Sequence, residues 1–79
     1  MQGLKSTVEY IVRELVDTPD EVNVTELPGD DATTYEVRVA ADDLGKVIGK
    51  QGRIANALRT IVKAVAMKEK KKVYVEIVA

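Results

Sequence analysis

The chain predicts an α+β fold in the order αββααβ, a three-stranded sheet with helices packed on one face. Three observations lead there. Apolar residues recur at helical spacing near the start of the chain and again from residue 44 onward. Two alternating runs rich in β-branched residues lie between those helices, and a third occupies residues 73–78. Pro19, Pro28-Gly29 and the stretch from Gly49 to Gly52 fall at the joins between periodic segments. At 79 residues the expected organisation is one domain, 1–79, because two would each lack the apolar surface to offset their ordering entropy.

Leu4, Val8, Ile11, Val12, Leu15 and Val16 define the first helix, and Ser6 with Glu9 offers a capping box if it begins slightly later. Asp17-Thr18-Pro19-Asp20 ends it, since the residue before a proline avoids the helical region and proline has no N–H to donate. Glu21 to Leu27 reads as a strand with Val22 and Val24 on one side. Thr34 to Ala40 reads as another, with Tyr35, Val37 and Val39 alternating against Thr34, Glu36 and Arg38. Pro28-Gly29-Asp30-Asp31 lies between them as a turn, which makes the pair a hairpin.

Asp42 or Asp43 is then placed to cap a short helix carrying Leu44, Val47 and Ile48 that breaks at Gly49. A longer helix resumes at Arg53, with Ile54, Leu58, Ile61, Val62 and Val65 as its apolar stripe and Arg59 and Lys63 four residues apart. Lys68-Glu69-Lys70-Lys71-Lys72 marks its end, where positive charge suits the negative end of the helix dipole. The last strand, Val73 to Val78, can pair in parallel with 34–40 through a right-handed crossover. Tyr10 and Tyr35 read as packing residues, and Tyr74 lies out of the apolar phase of its strand.

Composition excludes much. There is no histidine and no cysteine, so a disulfide framework and a thiolate metal site lack their residues, and catalysis by an activated nucleophile or a tuned acid and base has little to work with. An enzyme is not expected, and no cofactor is implied. No apolar run is long enough to cross a bilayer, and Met1-Gln2-Gly3-Leu4-Lys5 leads into polar residues instead of the apolar core of a secretory signal. A cytoplasmic protein is the expectation.

The net charge of −1 hides a strong asymmetry. Residues 1–43 hold eleven acidic against three basic side chains, and residues 44–79 hold nine basic against two acidic. One half therefore suits a polyanion, and the other discourages binding in the wrong orientation.

The stretch Val47-Ile48-Gly49-Lys50-Gln51-Gly52-Arg53-Ile54 concentrates the chemistry. Two glycines bracket two polar residues where one helix hands over to the next. They permit backbone angles that other residues resist and leave no side chain to hold a sugar-phosphate strand away from the peptide N–H groups. The following helix N-terminus adds N–H donors and partial positive charge, and Lys46, Lys50 and Arg53 add full charges. Val47, Ile48 and Ile54 are expected to floor a groove for unstacked bases.

These residues resemble the hallmark of the KH domain family, a V-I-G-x-x-G-x-x-I pattern between two helices, here Val47, Ile48, Gly49, Gly52 and, one residue nearer the second glycine than in that pattern, Ile54. The αββααβ order resembles the bacterial, type II KH arrangement, and the whole chain is similar to the small stand-alone KH proteins of the KhpA family. The resemblance implies a clamp over about four nucleotides of single-stranded RNA. It also implies a role as RNA chaperone or post-transcriptional regulator, and pairing with a second KH protein of the Jag/KhpB type or with itself.

Other readings stand beside it. Gly45-Lys46-Val47-Ile48-Gly49-Lys50-Gln51 has the wrong glycine spacing for a nucleotide-binding loop, and Gln51 replaces its Ser or Thr. Two helices joined by a glycine turn also describe a helix-turn-helix DNA reader, although the hairpin fits that motif poorly. A protein-interaction module could dock through the alanines of the long helix (Ala55, Ala57, Ala64, Ala66) or the sheet face carrying Tyr74 and Val78. Asp30-Asp31 and Asp42-Asp43 read as a turn and a helix cap ahead of a cation site. With no Phe or Trp there is no evident stacking platform, which favours grip by backbone and groove.

Overall fold

A computed structural model describes residues 3–79; the expectation for the extreme N-terminus falls partly on Met1 and Gln2, outside the described residues. The order is helix α1 (Leu4–Leu15), strands β1 (Asn23–Pro28) and β2 (Thr33–Arg38), helices α2 (Leu44–Ile48) and α3 (Arg53–Lys68), and strand β3 (Val73–Val78). Short 3-10 turns at Pro19–Glu21, Ala41–Asp43 and Lys50–Gly52 join them. This is the expected αββααβ arrangement. No helix among the described residues is long and apolar enough to cross a membrane.

The sheet runs β1-β2-β3, with β1 antiparallel to β2 and β2 parallel to β3. Val24 pairs with Val37, and Tyr35 with Val75, so one face of all three strands is apolar and meets the helices. Val8 and Val12 of α1, Val47 of α2, and Leu58, Val62 and Ala66 of α3 complete that core. Burying one such Val or Leu side chain contributes roughly 1.5–3 kcal/mol. Helices cover a single face; the opposite side is polar at Asn23, Thr25, Thr34, Glu36 and Arg38, and on β3 it mixes Glu76 with Tyr74 and Val78.

Several local expectations give way to tertiary contacts. α1 starts at Leu4 with Gly3 before it and no side-chain cap, so Ser6 and Glu9 lie inside the helix and form no capping box. β1 begins two residues later than its composition suggests and ends one later, because Pro19–Glu21 closes a 3-10 turn first. Pro28 ends β1 at the sheet edge, where it owes no N–H to a neighbour, and the Gly29 N–H donates to the Ala32 carbonyl at 2.9 Å to close the hairpin.

The helix stripe is corrected as well. On α3 the buried line is Ala55, Leu58, Val62 and Ala66, while Ile54, Ile61 and Val65 are exposed, Ile61 by 51%. The small alanines let the helix sit close to the sheet, and the larger residues turn outward. Tyr10 does not pack either: it is 68% exposed. Tyr35 is buried as expected, and its hydroxyl donates to Glu26 Oε2 at 3.3 Å.

Asp43 departs furthest from its sequence reading. It does not cap α2. It is 2% exposed, and its carboxylate accepts the backbone N–H of Asp17 (3.3 Å) and of Thr18 (3.0 Å). Lys46 adds charge nearby, at 3.9 Å from Asp43 Oδ1 and 3.3 Å from Asp17 Oδ2. The acid thus ties the loop after α1 to the start of α2, and so fixes where α2 and the turn beyond it stand.

Candidate nucleic-acid interface

The turn between α2 and α3 has left-handed backbone at three of four residues. Gly49 has φ +78°, Gln51 φ +58° and Gly52 φ +73°. The Gly49 N–H donates to the Gly45 carbonyl at 2.8 Å, ending α2, and the Gly52 N–H returns to the Gly49 carbonyl at 3.2 Å. Gly49 is required twice, because a Cβ there would also meet Ile54 Cγ1 at 2.6 Å. Gly52 is surrounded by space, with the Asn56 side chain 3.8 Å from where its Cβ would stand. Only its backbone angle asks for glycine.

Lys50, Gln51 and Arg53 are exposed around this turn. No side chain caps the first turn of α3, so its N–H groups and the dipole face outward beside two cations. Between Leu44 and Lys68 there is no acidic residue, so nothing along these two helices opposes an approaching anion. Ile48 is half-buried and Ile54 partly exposed, which leaves apolar surface next to the charge.

Two expected site residues stand elsewhere. Val47 is fully buried and anchors α2 in the core, so it offers no surface to a ligand. Lys46 is turned toward Asp17 and Asp43 and spends its charge there. The remaining residues, Ile48, Gly49, Lys50, Gln51, Gly52, Arg53 and Ile54, form one continuous patch in sequence and in space.

The structure also brings in residues outside the motif. Asn56 lies beside Gly52, and its Oδ1 accepts from Arg59 Nη1 at 3.3 Å. Arg59 Nε in turn donates to the Val75 carbonyl at 3.2 Å. In β3 the Lys72 and Val78 carbonyls serve β2, so alternation turns the Val73, Val75 and Ile77 peptide groups to the open edge. Arg59 covers part of that edge. The signal in the sequence was the four-residue spacing of Arg59 and Lys63, which gives a face but not the strand it meets.

A family model described as the KhpA/KhpB KH domain matches residues 5–77. The chain belongs to the KhpA/KhpB KH-domain family. Among curated relatives named "RNA-binding protein KhpA", that of Clostridium acetobutylicum is 55% identical over 95% of this chain and 100% of its own length. The Caldanaerobacter subterraneus protein is 58% identical over 90% and 95%. The Aquifex aeolicus protein is 53% identical over 98% of each. The KH assignment agrees with a non-enzymatic chain and removes the helix-turn-helix reading, whose fold has no place for a βααβ unit with parallel strands.

Solved structures share the KH fold at low identity. An Aquifex aeolicus Era variant bound to GDP and AlF4− aligns with a TM-score of 0.58 and 20% identity over 100% of this chain. Era in complex with MgGDPNP and nucleotides 1506–1542 of 16S ribosomal RNA aligns with 0.58 and 22% over 98%. This chain spans about a third of either Era chain, 33% and 31%.

Proposed function

We propose that the protein binds single-stranded RNA by seating its sugar-phosphate backbone on the Gly49–Gly52 turn. The observation that carries this reading is the turn itself: left-handed glycines, two exposed cations and the uncapped start of α3 converge with no acid on either helix. Phosphate oxygens accept from the exposed N–H groups and from Lys50 and Arg53, and bases lie against Ile48 and Ile54. The names of the curated relatives support RNA as the nucleic acid.

A KH clamp of this kind holds about four nucleotides. It does no chemistry; it keeps a strand unpaired, the action of an RNA chaperone or post-transcriptional regulator working in the cytoplasm. So short a grip gains from a second clamp on the same RNA. The exposed Ile61 and Val65 on α3 support a homodimer or a pairing with a second KH protein of the Jag/KhpB type.

The test is fluorescence anisotropy of a labelled single-stranded RNA with wild type and with the double variant Lys50→Asp, Gln51→Asp, folding being checked by circular dichroism. Asp is among the side chains that tolerate the left-handed backbone of Gln51, so the fold should survive. Loss of binding in the folded variant is the expected result. Equal affinity would move the site away from the turn.

A further inference from the structure

We infer that the groove around Tyr74 is a second contact for the same RNA strand, a stacking site for a base several nucleotides beyond the clamp. This rests on the reading of the Gly49–Gly52 turn given above.

The groove lies between the end of α3 and the start of β3, far from that turn. It encloses about 270 Å³ and is bordered by Lys63, Met67, Lys71, Lys72 and Tyr74 over a floor that includes the buried Ala66. Tyr74 points away from the core yet stands at the open sheet edge, 46% exposed. Lys63 Nζ and Lys72 Nζ reach within 5.9 and 6.0 Å of its ring centre. Those distances are at the outer limit of cation–π attraction, so long, flexible stems leave the ring readily. An aromatic plane flanked by ammonium groups matches a nucleotide: the ring stacks on any base and the lysines take the adjacent phosphates.

A polar row links this groove to the clamp. Asn56 stands beside Gly52, Arg59 bonds Asn56 and the edge of β3, and Lys63 follows one turn later. From Arg53 to Lys63 the helix advances roughly 15 Å, about four stacked nucleotide steps. The row carries no acid. A strand leaving the clamp along the seam of α3 and β3 therefore meets Tyr74 only when it is longer than the four nucleotides of the clamp itself.

The experiment compares a four-nucleotide and a ten-nucleotide RNA of mixed sequence, binding to wild type, Tyr74→Thr, Tyr74→Trp and the Lys50→Asp, Gln51→Asp variant. Thr keeps the strand preference without the ring. The expected result is that Tyr74→Thr weakens the decamer roughly five- to twenty-fold, in line with loss of one stacked base, and leaves the tetramer unchanged. Tyr74→Trp, in a chain with no other Trp, should hold decamer affinity and show fluorescence quenching by the decamer only. Unchanged decamer affinity in folded Tyr74→Thr, with binding still lost in the turn variant, would overturn this inference and leave the clamp standing. Unchanged binding in the turn variant, or no binding by wild type, would overturn the clamp and this inference with it.

Discussion

The Ile54 side chain occupies the space that a Cβ on Gly49 would need, 2.6 Å from Cγ1 and 2.9 Å from the Ile54 Cβ. The first residue of the turn and the second residue of α3 are thereby interlocked. The turn can close tightly only because Gly49 has no side chain, and Ile54 is held against it.

Gly49→Ala should therefore destabilise more than Gly52→Ala. Gly52→Ala forces an L-residue into the left-handed helical region, at about 1–2 kcal/mol; Gly49→Ala forces one to φ +78°, ψ 173°, a region entered almost by glycine alone, at about 1–3 kcal/mol, and adds displacement of Ile54, about 1–3 kcal/mol more. Urea denaturation of both variants checks this. Equal losses would mean that Ile54 moves aside freely.

Asp43→Ala should cost about 2–4 kcal/mol, because two N–H groups lose a charged acceptor in a buried place. Thermal unfolding should fall by more than about 10 °C for a domain of this size. A loss under about 0.5 kcal/mol would show that the loop after α1 finds other partners.

Salt dependence separates the cations. For single strands the logarithm of affinity falls with the logarithm of salt by about 0.7 per neutralised phosphate. Lys50→Ala should reduce that slope by about one such step, and Lys46→Ala, whose charge is held by Asp17 and Asp43, should leave it unchanged. Titrations at several salt concentrations decide it; equal reductions would return Lys46 to the interface.

Alkaline pH should weaken the fold through Tyr35. Burial raises the phenol above its ordinary value of 10.0, and the Glu26 carboxylate raises it further. The folded state thus keeps this proton after the unfolded chain has released it. Stability is unaffected below about pH 10 and falls as pH rises toward the folded pKa. Comparing urea stability at pH 8 and pH 11, wild type should lose more than Tyr35→Phe. Identical losses would assign alkaline unfolding to other groups.

Ile61→Asp should weaken self-association without unfolding the chain, since Ile61 is exposed on α3. Sedimentation velocity at several concentrations measures it. A wild type that stays monomeric throughout would remove the homodimer and leave pairing with another KH protein.

Much of this was legible in the chain. The order αββααβ and the glycine turn between two helices follow from local preferences: the period of apolar residues, proline's fixed backbone and glycine's freedom all act within a few residues. The parallel pairing of β2 with β3 was legible through the crossover that a helical connection imposes. The composition also determined the charge split and the absence of histidine and cysteine. Tertiary structure decided what those rules leave open. Ala55 and Ala66 went inward and Ile61 outward because close approach of α3 to the sheet favours small side chains. Asp43 stands at the start of α2 yet does not cap it with its side chain, because its carboxylate accepts the N–H groups of Asp17 and Thr18, distant in sequence. Lys46 followed it, and Asn56, Arg59 and Lys63 became a row leading to Tyr74 only once β3 lay beside α3. Periodicity chooses a face of each element; which partner that face meets depends on contacts between residues far apart in the chain.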